Sequence, residues 1–115
     1  MPSETMAVLL DMERHIDRAF EFLSGFDLDG FQQDERTIFA VIRCLEVVSE
    51  ASRRLPDDLK ARHPSIPWKN IAGAGNVYRH EYEEVTPRIV WDTVQLALPA
   101  LRAVVAEEIA LLGPS

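Results

Sequence analysis

The fold is decided by a stretch in the first half of the chain, Asp34–Leu55, which reads DERTIFAVIRCLEVVSEASRRL. Its apolar residues recur at steps of three and four positions, which is the period of an α-helix and not of a strand. Asp34 is a suitable N-cap for this helix. The apolar stripe consists of Ile38, Val41, Ile42, Leu45 and Val48. A helix with one such stripe needs other elements against that face, so the stretch predicts one member of a helical bundle.

A second face of the same helix carries charges of both signs at helical spacing. This face consists of Arg36, Arg43, Glu46, Glu50 and Arg53. A solvated helix surface gives such a pattern, and so does a polar wall at a cleft or a subunit interface. The sequence leaves both interpretations open.

The rest of the chain shows the same period and no sustained strand alternation. The predicted elements are a first helix from Ser3 to Leu23, a loop from Phe26 to Gln33, a helical turn from Pro56 to Arg62, a third helix from Pro67 to a point between Val77 and Tyr82, and a last helix from Thr86 to Gly113. Pro99 should kink the last helix, because it has no N–H for the carbonyl of Gln95. The sequence therefore predicts an all-α antiparallel bundle of four main helices plus a short helical turn.

Composition limits the kind of protein. With 115 residues the chain allows one domain, over residues 1–115, and its 47% hydrophobic and 27% charged residues are typical of a globular protein. A net charge of −7 argues against a surface that binds a phosphate backbone everywhere, although a local basic cleft remains compatible. The single cysteine, Cys44, excludes an internal disulfide and is expected in the core. No run of about 18 apolar residues and no basic leader is present, so we expect a cytoplasmic protein without a membrane-spanning helix.

The residues best suited to chemistry cluster near the predicted end of the third helix. Asn76 and His80 are four positions apart and share one helix face, and Arg79 and Tyr82 lie beside them. A structural role explains each residue equally well, for example an ion pair between Arg79 and Glu83. The residue types alone leave both interpretations open.

The other two histidines are interpreted without a functional role. His15 follows Asp11 by four residues, as in a pair on a helix surface, and His63 lies in a joint between helices. No metal site is predicted, because His80 and the glutamates next to it lack the spacing of a zinc motif.

Two glycines weaken the third helix. Gly73 and Gly75 together cost on the order of 2 kcal/mol relative to alanine. A compensating contact is therefore expected, such as the close packing of another backbone against this helix. The glycines do not form a dinucleotide-binding fingerprint, because no strand precedes them.

Several motifs along the chain are shared with one protein family. The main one is the stretch Ile66–Tyr82, IPWKNIAGAGNVYRHEY; Glu50-Ala51 precedes it, and Val90-Trp91 and Leu98-Pro99-Ala100-Leu101 follow it. Together they resemble the HepT-like proteins of the HEPN superfamily over roughly residues 8 to 110. No single one of these motifs is specific, but their combination is.

The resemblance implies a fold, an activity and partners. HepT-like proteins are all-helical homodimers that act as the toxin of a toxin–antitoxin pair, with a minimal nucleotidyltransferase as the antitoxin. Many are metal-independent endoribonucleases that need no cofactor. Their signature is an arginine, four to six residues, a histidine, one residue and a tyrosine, which places the histidine at His80 and the tyrosine at Tyr82. In some members the partner adenylylates that tyrosine and so silences the toxin.

This sequence departs from the family at the arginine. Where the family has Arg-Asn, this chain has Gly75-Asn76, so the asparagine is kept and the arginine is lost. A cation for the RNA phosphate would then come from Arg79 or Arg43, with Glu50 as a further residue lining the cleft. The predicted catalytic residues are His80, Arg79 and Asn76. The alternative is a protein without catalysis that binds its nucleotidyltransferase and is modified by it on Tyr82.

Overall fold

The computed structural model describes residues 3–80 and 87–113, and within them it leaves out the side chains of 76–80. Every regular element in these ranges is helical. The helices are α1 (Glu4–Leu23), α2 (Leu28–Gln33), α3 (Glu35–Ser52), α4 (Asp57–Ala61), α5 (Trp68–His80), α6 (Pro87–Asp92) and α7 (Leu98–Leu112). A π-helical segment, Thr93–Ala97, joins α6 to α7, so these three form one long helix. The all-α prediction of four main helices is confirmed by α1, α3, α5 and this last helix.

Polar caps begin the first two predicted helices where the sequence places them. The Ser3 hydroxyl accepts the N–H of Met6 at 3.0 Å, and an Asp34 carboxylate oxygen accepts the N–H of Thr37 at 3.0 Å. Each cap satisfies one of the four N–H groups that have no partner within the helix. Pro56 is the N-cap of α4, whereas the sequence predicts it as the first residue within that helix.

The loop predicted between Phe26 and Gln33 is wrong, because most of it forms α2. Asp27 caps this helix by accepting the N–H of Gly30 at 2.8 Å. Phe31 is fully buried and lies 5.6 Å from the ring of Trp91, centre to centre. A six-residue helix contributes only this one side chain to the core. It therefore shows no apolar repeat that sequence analysis could detect.

The core lies where α1, α3 and the last helix meet, and α5 packs on α3 from the side. Cys44 is buried there as predicted, and burial raises the pKa of its thiol. The fully buried apolar side chains in the main helices are Leu9, Met12, Ile16, Ala19, Val41, Ala51, Val90, Val94 and Val105. These residues continue the helical stripes seen in the sequence, so hydrophobic burial selects the predicted faces.

The predicted irregularity before Pro99 is present as the π-helical segment. Pro99 cannot donate a hydrogen bond to the carbonyl of Gln95, and the helix widens over Thr93–Ala97, immediately before α7. The Thr93 hydroxyl donates to the Ile89 carbonyl at 2.8 Å within this stretch. The predicted cap of the last helix, Thr86, lies outside the described residues.

The last helix is unusually apolar. Pro87–Leu112 spans 26 residues and has a window of mean hydropathy 1.4, so length and composition alone would let it cross a membrane. One face of it nevertheless belongs to the core, and another carries Arg102, which binds Asp17 at 2.7 Å and Glu13 at 3.2 Å on α1. We therefore interpret it as a core helix.

The prediction that His63 has no role is wrong. Its Nε2 lies 2.6 Å from one carboxylate oxygen of Glu108, and the Arg62 guanidinium donates to the other oxygen at 2.7 Å. Glu108 is 1% exposed, on the last helix. The pKa of Glu108 is held below its ordinary value, mainly by the hydrogen bond from Arg62 and to a smaller extent by that from His63.

His15 behaves as predicted, with its Nδ1 3.3 Å from an Asp11 carboxylate oxygen.

Candidate functional site

The predicted site residues occupy the C-terminal end of α5. This helix runs from Trp68 to His80, so Asn76, Arg79 and His80 belong to its last two turns. Their side chains lie outside the described residues, and so does Tyr82. What the structure does describe is the helix that carries them and the contacts that hold the preceding turn.

Two side chains of α3 bind the backbone of α5 directly before the predicted site. The Ser49 hydroxyl donates to the Ala72 carbonyl at 3.1 Å and accepts the N–H of Gly75 at 2.9 Å. Arg53, one turn further along α3, donates to the same Ala72 carbonyl through Nε at 3.0 Å and Nη2 at 2.7 Å. We call these four residues, Ser49, Arg53, Ala72 and Gly75, the α3–α5 clamp. At Arg53, the charged face predicted for this helix therefore makes a contact between helices.

Gly75 has no room for a side chain. A Cβ built there would lie 2.7 Å from the Ser49 hydroxyl oxygen and 3.1 Å from its Cβ. Contacts under 3.0 Å do not occur for real Cβ atoms, so any larger residue requires Ser49 to move. A close contact is thus present at Gly75, but its partner is the Ser49 side chain and not another backbone as predicted. Such a contact is absent at Gly73, where a Cβ would meet no atom within 4 Å.

The two glycines give a matched test of this packing. Gly75→Ala is expected to lower the free energy of unfolding by about 1–3 kcal/mol, because the added methyl overpacks a buried contact. Gly73→Ala is expected to raise it by about 0.5–1 kcal/mol, since alanine favours the helix and the site is open. Urea unfolding of both variants measures the difference. Equal effects of the two substitutions would contradict the packing described for Gly75.

The clamp also fixes the relative direction of the two helices. Ser49 binds at Gly75 and Arg53 binds at Ala72, so α3 and α5 run antiparallel. Arg43 and Glu50, the predicted cleft residues, are both exposed on α3 and seven positions apart on one face. Because the helices are antiparallel, Arg43 lies toward the end of α3 that faces the C-terminal half of α5. Arg53 lies toward the opposite end.

Ser49 is the residue that sequence analysis missed. It lies between the core residue Val48 and the motif Glu50-Ala51, and neither the apolar stripe nor the motif includes it. The only sign of its role is that a small hydroxyl residue on α3 meets a helical glycine on α5. This contact cannot be predicted without knowing the register between the two helices.

Behind the clamp lies an apolar cavity of about 60 Å³, lined by Leu45, Val48, Ser49, Ile71, Ala74, Thr93, Ala97, Leu98 and Leu101.

Across residues 3–75 and 87–113, no group of three or more histidine, cysteine, aspartate or glutamate side chains is placed to hold a metal ion. The same residues leave no buried side-chain nitrogen or oxygen without a hydrogen-bond partner. The buried polar groups near α5 are therefore accounted for by the protein's own contacts.

Comparison with known proteins gives one family. The model of the family described as Ribonuclease HepT-like matches residues 12–108. This chain belongs to the HepT-like family. The match spans α3, the clamp and α5, so the resemblance drawn from the motifs is confirmed over nearly the whole chain.

Curated relatives of this HepT-like chain are named as ribonucleases. A "Probable ribonuclease HepT" of Thermococcus cleftensis is 38% identical over 94 residues, which cover 82% of this chain and 86% of that protein. A "Putative RNase" of Caldanaerobacter subterraneus is 36% identical over 97 residues, covering 81% and 87%. Another "Putative RNase", from Methanocaldococcus jannaschii, is 33% identical over 96 residues, covering 84% and 83%. No solved structure gives a significant match.

Proposed function

We propose that this protein is a metal-independent endoribonuclease, and that it is the cytoplasmic toxin of a toxin–antitoxin pair whose antitoxin is a minimal nucleotidyltransferase. The observation that carries the proposal is membership of the HepT-like family, whose curated relatives are named as ribonucleases. The family's histidine and tyrosine are both kept, as His80 and Tyr82. His80 ends a helix that α3 holds firmly.

The proposed chemistry needs three groups. A base takes the proton of the 2′-hydroxyl, whose oxygen then attacks the phosphorus, while an acid protonates the 5′-oxygen that leaves. A cation stabilises the additional negative charge that develops on the phosphate. We assign the first two roles to His80 side chains and the cation to Arg79, with Asn76 orienting the RNA and Arg43 and Glu50 lining the cleft.

One histidine cannot be base and acid at the same moment, so the proposal includes a homodimer. Two-fold symmetry would bring His80 of each subunit to one cleft, where the imidazoles hold opposite protonation states. A local cleft of this kind is compatible with a net charge of −7, since only its lining needs to attract phosphate.

The test is cleavage of a mixed RNA pool in the presence of a chelator, measured from roughly pH 5.5 to 8.5 on protein sized by light scattering. We expect a dimer at tens of micromolar and a bell-shaped rate centred near neutrality, because one imidazole must be neutral and the other charged. A monomer, or a flat profile with chemistry shown to limit the rate, would contradict the two-histidine mechanism. Loss of all cleavage on chelation would contradict metal independence.

The second candidate function is binding without catalysis, and one observation favours it. Gly75 stands where the family has its arginine, and the space for a side chain there is taken by Ser49. In this candidate the nucleotidyltransferase binds the protein and adenylylates Tyr82. Incubation with that partner and ATP should then add one adenylyl mass, lost in Tyr82→Phe, to a protein that does not cleave RNA.

A further inference from the structure

Side chains of α3 hold one turn of α5 by hydrogen bonds to its backbone. Ser49 contacts both ends of the turn, as donor to Ala72 and acceptor from Gly75, and Arg53 adds two N–H donors to the same carbonyl. The Ala72 carbonyl thus accepts three hydrogen bonds from side chains. The donor group of Arg53 is a charged guanidinium, whose hydrogen bonds are stronger than those between neutral groups.

This arrangement restricts how α5 can move on α3. A hydroxyl that bonds a carbonyl and an N–H three residues apart fixes both the rotation and the sliding of the helix. Ser49 is 2% exposed, so water cannot easily replace these bonds. The absence of a side chain at Gly75 is what lets the hydroxyl approach to 2.9 Å from the backbone nitrogen.

The clamp lies directly before the predicted catalytic residues. At 1.5 Å per residue, His80 is about 7.5 Å along the helix from Gly75, with Asn76 next to the clamp. A misplacement of about 1 Å at a reacting group costs on the order of 10² in rate. The catalytic end of α5 therefore depends on what fixes the turn that precedes it.

We infer that Ser49 and Arg53 are positioning residues for RNA cleavage, and that Gly75 replaces the family's arginine because the Ser49 hydroxyl occupies its place. The inference rests on the proposed ribonuclease function. Ser49 acts through the backbone of α5 and contacts no RNA. Arg53, at the far end of α3 from Arg43, contributes through the Ala72 carbonyl in the same way.

Ser49→Ala tests the inference, with Ser52→Ala as its control. Both hydroxyls are buried, but Ser52 donates within its own helix, to the Ser49 carbonyl at 2.7 Å, and makes no bond to the part of α5 that the structure describes. Each variant loses one buried hydroxyl, so we expect both to unfold at lower urea concentrations than the wild type. We expect Ser49→Ala to lower kcat about tenfold with KM unchanged. Ser52→Ala should keep the wild-type kcat.

A spectroscopic measurement accompanies the kinetics. The Gly75 amide resonance should shift, and its hydrogen exchange should accelerate, in Ser49→Ala but not in Ser52→Ala. Arg53→Met should lower kcat less, about threefold, since Ser49 still holds the turn. Arg54→Met is its control and should keep the wild-type kcat, because Arg54 is the next residue and makes no bond to the described residues of α5.

The outcomes separate this inference from the proposed function. Absence of cleavage by the wild type would overturn the proposed function and the positioning role together. Cleavage by the wild type that is equally fast in Ser49→Ala would overturn the positioning role alone. Equal kcat losses in Ser49→Ala and Ser52→Ala would also overturn it, because general destabilisation would then explain both.

Discussion

Replacing His80 by alanine is expected to lower RNA cleavage by about 10³-fold or more. In the proposed dimer the substitution removes base and acid together, because each subunit supplies one imidazole. Proton transfer by a positioned group contributes roughly 10²–10⁴ to a rate, and here two such groups are lost. The measurement is the initial rate on a mixed RNA pool without added metal, at equal concentrations of folded wild type and variant.

Arg79→Ala is the matched companion of this variant. If Arg79 supplies the cation that Gly75 does not, its loss should lower cleavage by about 10²–10³, as for one preorganised donor. RNA binding should persist with a slightly weaker salt dependence, since one cation is removed. Glu83→Ala serves as the control, because the ion pair that the sequence predicts between Arg79 and Glu83 would contribute little.

Three results would contradict these assignments. Cleavage that survives His80→Ala would point to a contaminant or to a different site. Wild-type activity that is unchanged in Arg79→Ala would leave Arg79 with a purely structural role, within about 0.5 kcal/mol in stability. No cleavage by the wild type at high enzyme concentration would eliminate the nuclease and leave the nucleotidyltransferase-binding alternative.

The second large effect is on stability, at Glu108. Glu108→Gln is expected to lower the free energy of unfolding by about 2 kcal/mol at pH 7, because a buried carboxylate loses charge-assisted bonds to Arg62 and His63. For a chain of this size that corresponds to roughly 8 °C in Tm. Thermal unfolding followed by circular dichroism measures the shift.

The pH dependence of this effect has a definite sign. The pKa of Glu108 is lower in the folded protein than its ordinary value of 4.5. Its contribution to stability is therefore fully present above pH 4.5 and is lost as the pH falls through the folded pKa. The stability difference between wild type and Glu108→Gln should be constant from neutral pH down to about 5 and vanish in stronger acid.

Glu107→Gln is the control for Glu108→Gln. Glu107 is the preceding residue on the same helix, and it is exposed. Removing its charge should change stability by less than about 0.5 kcal/mol at any of these pH values. Equal effects of the two substitutions, or a Glu108→Gln effect that does not decline as the pH falls below 4.5, would show that the cluster with Arg62 and His63 does not carry the stability assigned to it.

Long helices with a repeated apolar pattern were predictable from the sequence. A short helix, and a contact between residues far apart in the chain, were not. The starts of α1 and α3 follow from Ser3 and Asp34, because a cap acts within a few residues. The helix α3 ends at Ser52, three residues before the predicted end at Leu55. The helix α2 was predicted as a loop, since its only buried residue is Phe31. His63 was read as a joint residue because its partner, Glu108, is 45 positions away.

The sequence by itself determined the helical bundle, the irregularity of the last helix before Pro99, and the family; the roles of His80 and Tyr82 stay predictions. Only the tertiary structure decided what packs against each glycine of α5. Gly73 and Gly75 are alike in sequence, yet one faces open space and the other accommodates the Ser49 hydroxyl. The reason is that helix packing sets the register between α3 and α5, and a register is a property of two helices together.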